Sequence, residues 1–541
     1  MRLFPGWPKI RVATVQGNMR GMEIELKLLI APADVARLRR FTVPAGWTRG
    51  TPKHKNLLSI YFDTGDLFLR QRAIALRVRR DGQRWIQTVK AGGSAKAGLH
   101  SRIETEAGVA HDHPDFTKID DPSLAELFHS PELHERLQPV FTTEFRRTIW
   151  LLQSGKGDTV EMALDLGEIR AGQTALPISE VELELKSGNP AVLYEAALAL
   201  LDRVPLHLEN ASKAERGYAL RAPPPPPQPV KEPPLDFTGD VSTFQAFQAI
   251  AWSCINHLQC NQRGLLIGED TEYVHQMRVA LRRLRSAMGL FARVAPGIRD
   301  IPLIEEIRWL AGELGAARDW DVFVTETLPP ILAQDLDDQS LRTLSEKALA
   351  IAADNREKAR KAAASQRYQR LLLNLGIWLN RESWRSGASK QQLAALKRPI
   401  IELSGQLLDR CHKKLLRRGA NLDGLSAPER HALRIAGKKL RYAAEFFAHL
   451  HPGKKTHGYL KALAGLQGIL GELNDHVVTW RLLDELQEKC RLDALHARAI
   501  GEIMGWGACQ ASIRLAGLGQ VWDGLKSQKR FWKIDKRSHC S

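Results

Sequence analysis

Glu23-Ile24-Glu25-Leu26-Lys27 sets two acids and a base on alternate residues, a spacing that puts all three side chains on one face of an extended strand. The same alternation returns in Leu76-Arg77-Val78-Arg79, in Arg102-Ile103-Glu104-Thr105-Glu106 and in Val181-Glu182-Leu183-Glu184-Leu185. Single charges punctuate other strand-like runs: Lys90 after Trp85–Val89, Arg147 before Thr148-Ile149-Trp150, and Asp165 within Ala163–Leu166. Paired carboxylates suit a hard divalent ion such as Mg²⁺ or Mn²⁺, which takes oxygen ligands and keeps waters for a phosphate substrate. Arginines and lysines facing them suit phosphate oxygens. Other chemistries are poorly served. No Ser-His-Asp arrangement stands out in this half, and Gly92-Gly93 lacks the Lys-Ser/Thr of a nucleotide-binding P-loop.

The elements that must position these residues are strands, because the opposite faces are consistently Ile, Leu and Val at period two. Two arrangements satisfy that pattern. One is a sheet with a solvated charged face; the other is a closed antiparallel barrel whose polar face turns inward around an occupied cavity. The mixture of paired acids with paired bases counts against the first, and the pattern by itself leaves the two arrangements about even.

The ordered set, together with Ser212-Lys213-Ala214-Glu215-Arg216-Gly217-Tyr218, resembles the CYTH (triphosphate tunnel metalloenzyme) family over about residues 22–221. The resemblance implies an eight-stranded antiparallel barrel holding a linear triphosphate or a nucleoside triphosphate. It further implies that Lys27, Arg77, Arg79, Lys90, Arg147 and Lys213 grip phosphates. Glu23, Glu25, Glu104, Glu106, Asp165, Glu182 and Glu184 would hold the metal or position the attacking water, with Glu23, Glu25, Lys27 and Lys90 as the catalytic group. Arg146 is the neighbouring alternative to Arg147; alternation allows only one of them inward. In such a site catalysis is positioning plus electrostatic stabilisation of a phosphoryl group with spread charge.

The second half of the chain reads as helix and contains a duplication. His275-Gln-Met-Arg278-Val-Ala-Leu-Arg282-Arg283-Leu-Arg285 recurs as His431-Ala-Leu-Arg434-Ile-Ala-Gly-Lys438-Lys439-Leu-Arg441, an offset of 156 residues that also relates Leu314-Gly315 to Leu470-Gly471 and Asp319 to Asp475. Two related helical units packed about a pseudo-twofold axis are expected. At ~100° per residue His275, Arg278, Arg282 and Arg285 fall within an arc of about 80°, opposite Met277, Leu281, Leu284, Met288 and Phe291. A solvated surface helix would mix signs to gain i,i+4 pairs; these stripes are nearly free of acids. A zinc site is disfavoured because no matching Cys/His cluster accompanies the histidines. This half resembles the CHAD family over about residues 241–530, on these two helices and on Arg318-Asp319-x-Asp321 and Asn474-Asp475. The resemblance implies a basic groove for inorganic polyphosphate. Nucleic acid is the weaker partner, since single-strand binders interleave stacking aromatics and only Tyr442 lies near a basic arc.

Whole-chain properties agree. The 541 residues carry a formal net charge of +17, of which +4 lies in residues 1–221 and +15 in residues 241–541. A basic excess confined to the helical half suits a polyanion ligand. Pro223–Pro229, with Pro233 and Pro234, marks a polyproline spacer at about 222–240. Residues 1–21 read as a disordered extension or overlong start, and 531–541 as a basic tail. Six isolated cysteines fit a reducing cytoplasm, no apolar run nears the ~18–20 residues of a membrane span, and oligomeric state has no sequence signal. The expected protein is therefore an α+β multidomain chain: a metal-dependent hydrolase of inorganic triphosphate or a related triphosphate, joined to a polyphosphate-binding all-α bundle. The alternatives are cyclisation of ATP in the same tunnel, as in class IV-type adenylate cyclases, and a non-enzymatic polyphosphate scaffold. The combination resembles bacterial CYTH-CHAD inorganic triphosphatases.

Overall fold

A computed structural model describes residues 22–96, 99–119, 122–298, 302–334, 338–382, 385, 387–490 and 494–533. The extension at 1–21 and all but the first three residues of the tail at 531–541 lie outside them. The chain divides into two compact units: residues 1–228 with 365–383, and residues 229–364 with 384–541.

The first unit is built on one antiparallel sheet of ten strands: β1 (Met22–Ile30), β2 (Trp47–Arg49), β3 (Lys53–Thr64), β4 (Ile74–Asp81), β5 (Arg84–Lys96), β6 (Leu99–Val109), β7 (Leu137–Ser154), β8 (Thr159–Ala171), β9 (Thr174–Ser187) and β10 (Leu206–Leu208). The order is β10-β1-β6-β5-β4-β3-β7-β8-β9, with β2 paired to β7 and β9 also paired to β1. The expected eight-stranded barrel is thus corrected to a ten-stranded sheet. The two short strands, three residues each, carry no charged alternation long enough to read from sequence.

Register converts the period-two pattern into cross-strand neighbours. Lys27 stands opposite Glu182 and Glu25 opposite Glu184 across β1 and β9. Lys90 stands opposite Glu104, Arg147 opposite Asp165 and Asp165 opposite Glu180. Both faces of β1 are enclosed: Ile24, Leu26 and Leu28 are buried on one side, Glu25 and Lys27 on the other. At one end of the charged face, Leu57, Tyr61, Phe141, Phe145, Ile169 and Ile178 form a core with Ala214 and Tyr218 of the helix Lys213–Arg221. Ser212 and Glu215 cap that helix reciprocally. Gly217 is required there, because a Cβ would sit 2.2 Å from the Phe141 ring.

A helix from far along the chain, Gln366–Arg381, belongs to this unit although the sequence places it within the stretch expected as one helical domain. It packs on the helix Ala191–Leu201, where Gly376 admits the Tyr194 ring, and Arg381 pairs with Glu195 at 2.8 and 2.9 Å. Gln366 and Gln369 accept hydrogen bonds from the backbone N–H groups of Leu206 and Leu208, at 3.1 and 3.0 Å. These contacts cover donors of β10 that an edge strand would leave open.

The second unit is helical. Thr243–Ile267 packs on Glu272–Phe291, Leu303–Val322 on Gln339–Ala364, Ile400–Arg418 on Ala427–Phe447, and Lys454–Cys490 on Ala494–Ser527. The duplicated basic helices, Glu272–Phe291 and Ala427–Phe447, also touch each other. The end of the proline-rich stretch is fixed to this unit: Val230 exchanges hydrogen bonds with Asn261 at 2.9 Å, and Phe237 is buried with its carbonyl 3.0 Å from His449.

Candidate functional site

Two charged sites emerge, one in each unit. In the first, Lys27 Nζ lies 2.7 Å from Glu25 Oε1 and 2.5 Å from Glu182 Oε1. Lys90 Nζ contacts Glu104 at 2.7 Å and Glu23 at 3.1 Å. Arg77 donates to Glu104 at 3.1 Å, with Glu106 at 3.7 Å. Arg147 holds both Asp165 oxygens, at 2.7 and 2.6 Å, and also reaches Glu182. Lys213 contacts Asp165 at 2.6 Å, Glu182 at 3.0 Å and Glu180. Twelve of the thirteen residues singled out for this half therefore engage an oppositely charged partner here, Glu184 doing so through Lys186 at 2.6 Å. Arg147 joins the cluster, while Arg146 lies on the other face.

Arg79 is the exception. Its Nε donates to Ser59 Oγ at 3.2 Å, and no carboxylate lies within ion-pair distance among the described residues. Burial, followed by the neighbouring Arg77 and Arg147, pushes its guanidinium down to about 10. Lys27 behaves oppositely: burial works against its charge, but Glu182, Glu25 and Glu180 outweigh it and hold the ammonium far above its ordinary value. Glu182 stays well below the carboxylate range despite burial, held there by Lys213, Lys27 and Arg147. Arg79 and Arg147 open onto a cavity of about 350 Å³ that Lys53, Lys55, Asp81 and Glu161 also line, with Lys55 paired to Asp81 at 2.6 Å.

Carboxylate oxygens of Asp165, Glu180 and Glu182 lie within 4.8 Å of one another, close enough to share a cation. Their charge is already met by Lys27, Arg147, Lys213 and Arg216. The acids less fully matched are Glu23, Glu25, Glu106 and Glu184. Burial, with Glu23 and Glu161 nearby, raises the Glu184 carboxyl despite Lys186. An oxygen-only donor set of this kind fits a hard divalent ion.

Four residues of the site carry a weaker signal in the sequence. Glu180 continues the alternation one step before Glu182 and is fully buried. Arg216 follows Lys213 by three residues on the same helix face and pairs with Glu180. Lys53 and Lys55 extend the face of Leu57 and Ser59, but no acid accompanies them in sequence.

In the second unit Arg278 donates to the Gly315 carbonyl at 2.7 Å and to Asp319 at 3.0 Å, and Arg481 contacts the other Asp319 oxygen at 2.8 Å. The second copy differs: His431 and Arg434 both lie 3.0 Å from Asn474 Oδ1. Nε of Arg282 and of Arg434 are buried without a hydrogen-bond partner. Burial, then Arg282, Arg434 and Arg278, drives the Lys438 ammonium down to about 7, with Asp475 easing it. Burial and the nearby Arg318 lower His275. Arg285 and Lys439 are exposed and lie near each other, with Arg308 and Lys414 among their other charged neighbours. Arg283 and Arg441 do not belong to it. Arg283 is 4 % exposed, bonded to Glu445 at 3.1 Å and stacked 5.1 Å from the Phe446 ring; Arg441 takes the other Glu445 oxygen at 2.7 Å. Arg283 sits ~100° round the helix from Arg282, which turns it into the bundle. Tyr442 is buried, so the basic arcs offer no stacking platform there.

Similarity to known proteins follows this division. A model of the CYTH domain matches residues 21–218, and a model of the CHAD domain matches residues 249–484. An inorganic triphosphatase of Haemophilus influenzae is 36% identical over 206 residues, 38% of this chain and 56% of that protein, so the chain spans only about half of that relative's length. A crystal structure of the CHAD domain from the plant Ricinus communis is 38% identical, covering 56% of this chain and 98% of that one, with a TM-score of 0.49. No helix among the described residues is long and apolar enough to cross a membrane.

Proposed function

The chain being a CYTH domain followed by a CHAD domain, we propose that its first unit hydrolyses inorganic triphosphate in a metal-dependent, tunnel-like site and that its second unit binds inorganic polyphosphate, both in the cytoplasm. The observation that carries the hydrolase reading is Arg79. A cation enclosed between Arg77 and Arg147, with no ion-paired carboxylate among the described residues and Glu182 favouring its charge too weakly to offset them, is unfavourable in the free protein and becomes favourable when phosphate oxygens arrive. The similarity to the Haemophilus influenzae triphosphatase supports the same substrate class.

The roles follow from the contacts. Arg79 and Arg147, with Lys53 and Lys55 at the cavity wall, neutralise the terminal phosphates. Lys27 and Lys90, each held between two acids, present ammonium groups to the phosphate from fixed positions. Glu23, Glu25, Glu106 and Glu184 would hold Mg²⁺ or Mn²⁺, which when bound supplies additional positive charge to the phosphate oxygens. Donors fixed by register before substrate arrives stabilise the transferred group without reorganisation.

The test is phosphate release from inorganic triphosphate, ATP and long-chain polyphosphate with Mg²⁺, Mn²⁺ or EDTA. Release from triphosphate that EDTA abolishes, and that Glu25→Gln lowers at least ~10²-fold, is the expected result. Full activity in Glu25→Gln would sink the metal assignment, and cyclic AMP from ATP would replace hydrolysis with cyclisation.

For the second unit, unpaired N–H groups on Arg282 and Arg434 beside Arg278 and Lys438 form the polyphosphate site. Lys438 is mostly neutral above pH 7 in the free protein, and a bound phosphate chain favours its charged form. Polyphosphate binding at pH 8 is therefore expected to take up about one proton, and affinity to fall as pH rises through about 7. Calorimetry in buffers of different ionisation heat measures the uptake; Lys438→Arg is expected to remove it.

A further inference from the structure

Strand alternation sends Lys53, Lys55, Arg147 and Ile149 to one face of β3 and β7 and His54, Arg146, Thr148 and Trp150 to the other. On that outer face lies a second cavity of about 490 Å³, lined by Arg39, Arg49, His54, Arg146, Thr148 and Trp150 among others, with no carboxylate in its wall. It is a different space from the charged site described above; the two share only Thr51, at the rim.

Its donors are held in advance. Arg49 is tied by Nη1 to the Phe41 carbonyl at 2.6 Å and by Nη2 to the Arg39 carbonyl at 3.2 Å, with its guanidinium 4.6 Å from the Trp150 ring centroid. His54 Nδ1 lies 3.2 Å from Thr148 Oγ1. Trp150 is 3 % exposed, and its Nε1–H is buried with no hydrogen-bond partner. An indole N–H is a donor only, so a partner for it must bring an acceptor. Burying such a donor unsatisfied is costly. Three arginines in one cavity wall without an acid call for more negative charge than one carboxylate carries, and the volume falls in the ~300–1,000 Å³ range of small-ligand sites.

We propose that this outer cavity binds a short condensed inorganic phosphate of the pyrophosphate class. The Arg49 guanidinium, stacked on the Trp150 ring, donates to it from the floor, and Arg39, Arg146 and His54 close over it from the exposed rim. The assignment rests on this cavity's own lining and does not depend on what the inner site hydrolyses.

The test uses the full chain labelled with 5-fluorotryptophan and titrated with pyrophosphate in EDTA. Of the thirteen tryptophans, the ¹⁹F resonance missing in Trp150→Phe reports this cavity. It is expected to shift and saturate with pyrophosphate, and the midpoint is expected to rise at least ~10-fold in Arg146→Gln. A resonance that does not move, or that moves identically in Arg146→Gln because the change is relayed from another anion site, would overturn the proposal. ADP shares the diphosphate group: binding no tighter than pyrophosphate supports an inorganic ligand, whereas ADP binding ~10-fold tighter overturns it. Should Trp150→Phe not fold, calorimetric stoichiometry replaces the assignment. The double variant of exposed residues, Arg39→Gln with Arg146→Gln, is then expected to bind one pyrophosphate fewer, and an unchanged stoichiometry would refute the site.

Discussion

Arg79→Gln is expected to lower metal-dependent phosphate release from inorganic triphosphate about 10²–10³-fold while leaving the thermal midpoint unchanged or raised. Most substitutions of buried charged residues lose stability, because a partner is left behind uncompensated. Among the described residues Arg79 has no ion-paired partner: its side chain donates to Ser59, and the neighbours Arg77 and Arg147 repel it more than Glu182 attracts it. Removing it relieves repulsion and gives up only a modest hydrogen bond of about 1 kcal/mol. Lys27→Met provides the contrast. Lys27 neutralises Glu25 and Glu182, so its loss is expected to lower both activity and the thermal midpoint, with Lys213 and Arg147 limiting the damage at Glu182. Phosphate-release assays beside thermal melts of both variants separate the two outcomes. If Arg79→Gln melted much earlier than the parent chain, Arg79 would be a structural residue and its role in gripping phosphate would fall.

The second large effect concerns the helical unit. The double variant Arg282→Ala with Arg434→Ala is expected to weaken long-chain polyphosphate binding by about 10²–10⁴-fold, taking roughly 1.5–3 kcal/mol for each charge-assisted bond and 1.4 kcal/mol per tenfold. The dependence of log affinity on log salt is expected to flatten by about one unit for each phosphate no longer neutralised. Both guanidinium groups carry a buried Nε–H without a partner, so the free protein loses no hydrogen bond at those atoms on substitution. Arg283→Ala should do the reverse, since Glu445 and Phe446 depend on it: folding suffers and binding in the folded protein is retained. Binding measured by fluorescence anisotropy at several salt concentrations decides between them. Equal losses of affinity in both variants would mean that the basic stripe acts only through bulk charge.

Much of the charged architecture is legible in the order of residues. Period two alone sorts Glu23, Glu25, Lys27, Arg77, Arg79, Glu104 and Glu182 onto charged faces, because side chains of an extended strand alternate whatever surrounds them. The offset of 156 residues locates both basic helices, and the prolines after Pro223 mark where strand text gives way to helix text. These are local properties, written in spacing.

What spacing does not encode is register. Alternation says that Arg79 and Lys27 lie on polar faces and sets Glu25 beside Lys27, but only the pairing of β1 with β9 adds Glu182, and only the pairing of β4 with β3 leaves Arg79 a serine. The strand count shows the same limit: β2 and β10 are strands because β7 and β1 lie beside them, and three residues hold too little pattern to announce it. Gln366–Arg381 joins the sheet-bearing unit because β10 has backbone donors for Gln366 and Gln369 to cover, a match between segments about 160 residues apart. Likewise the ~100° between neighbouring helix residues places Arg282 and Arg283 on different sides, yet only packing against Phe446 and Glu445 settles which of them is buried. Local spacing thus assigns the charges and the direction of their alternation. Long-range pairing selects which of them are neutralised, because an ion's partner comes from neighbours brought together across the chain.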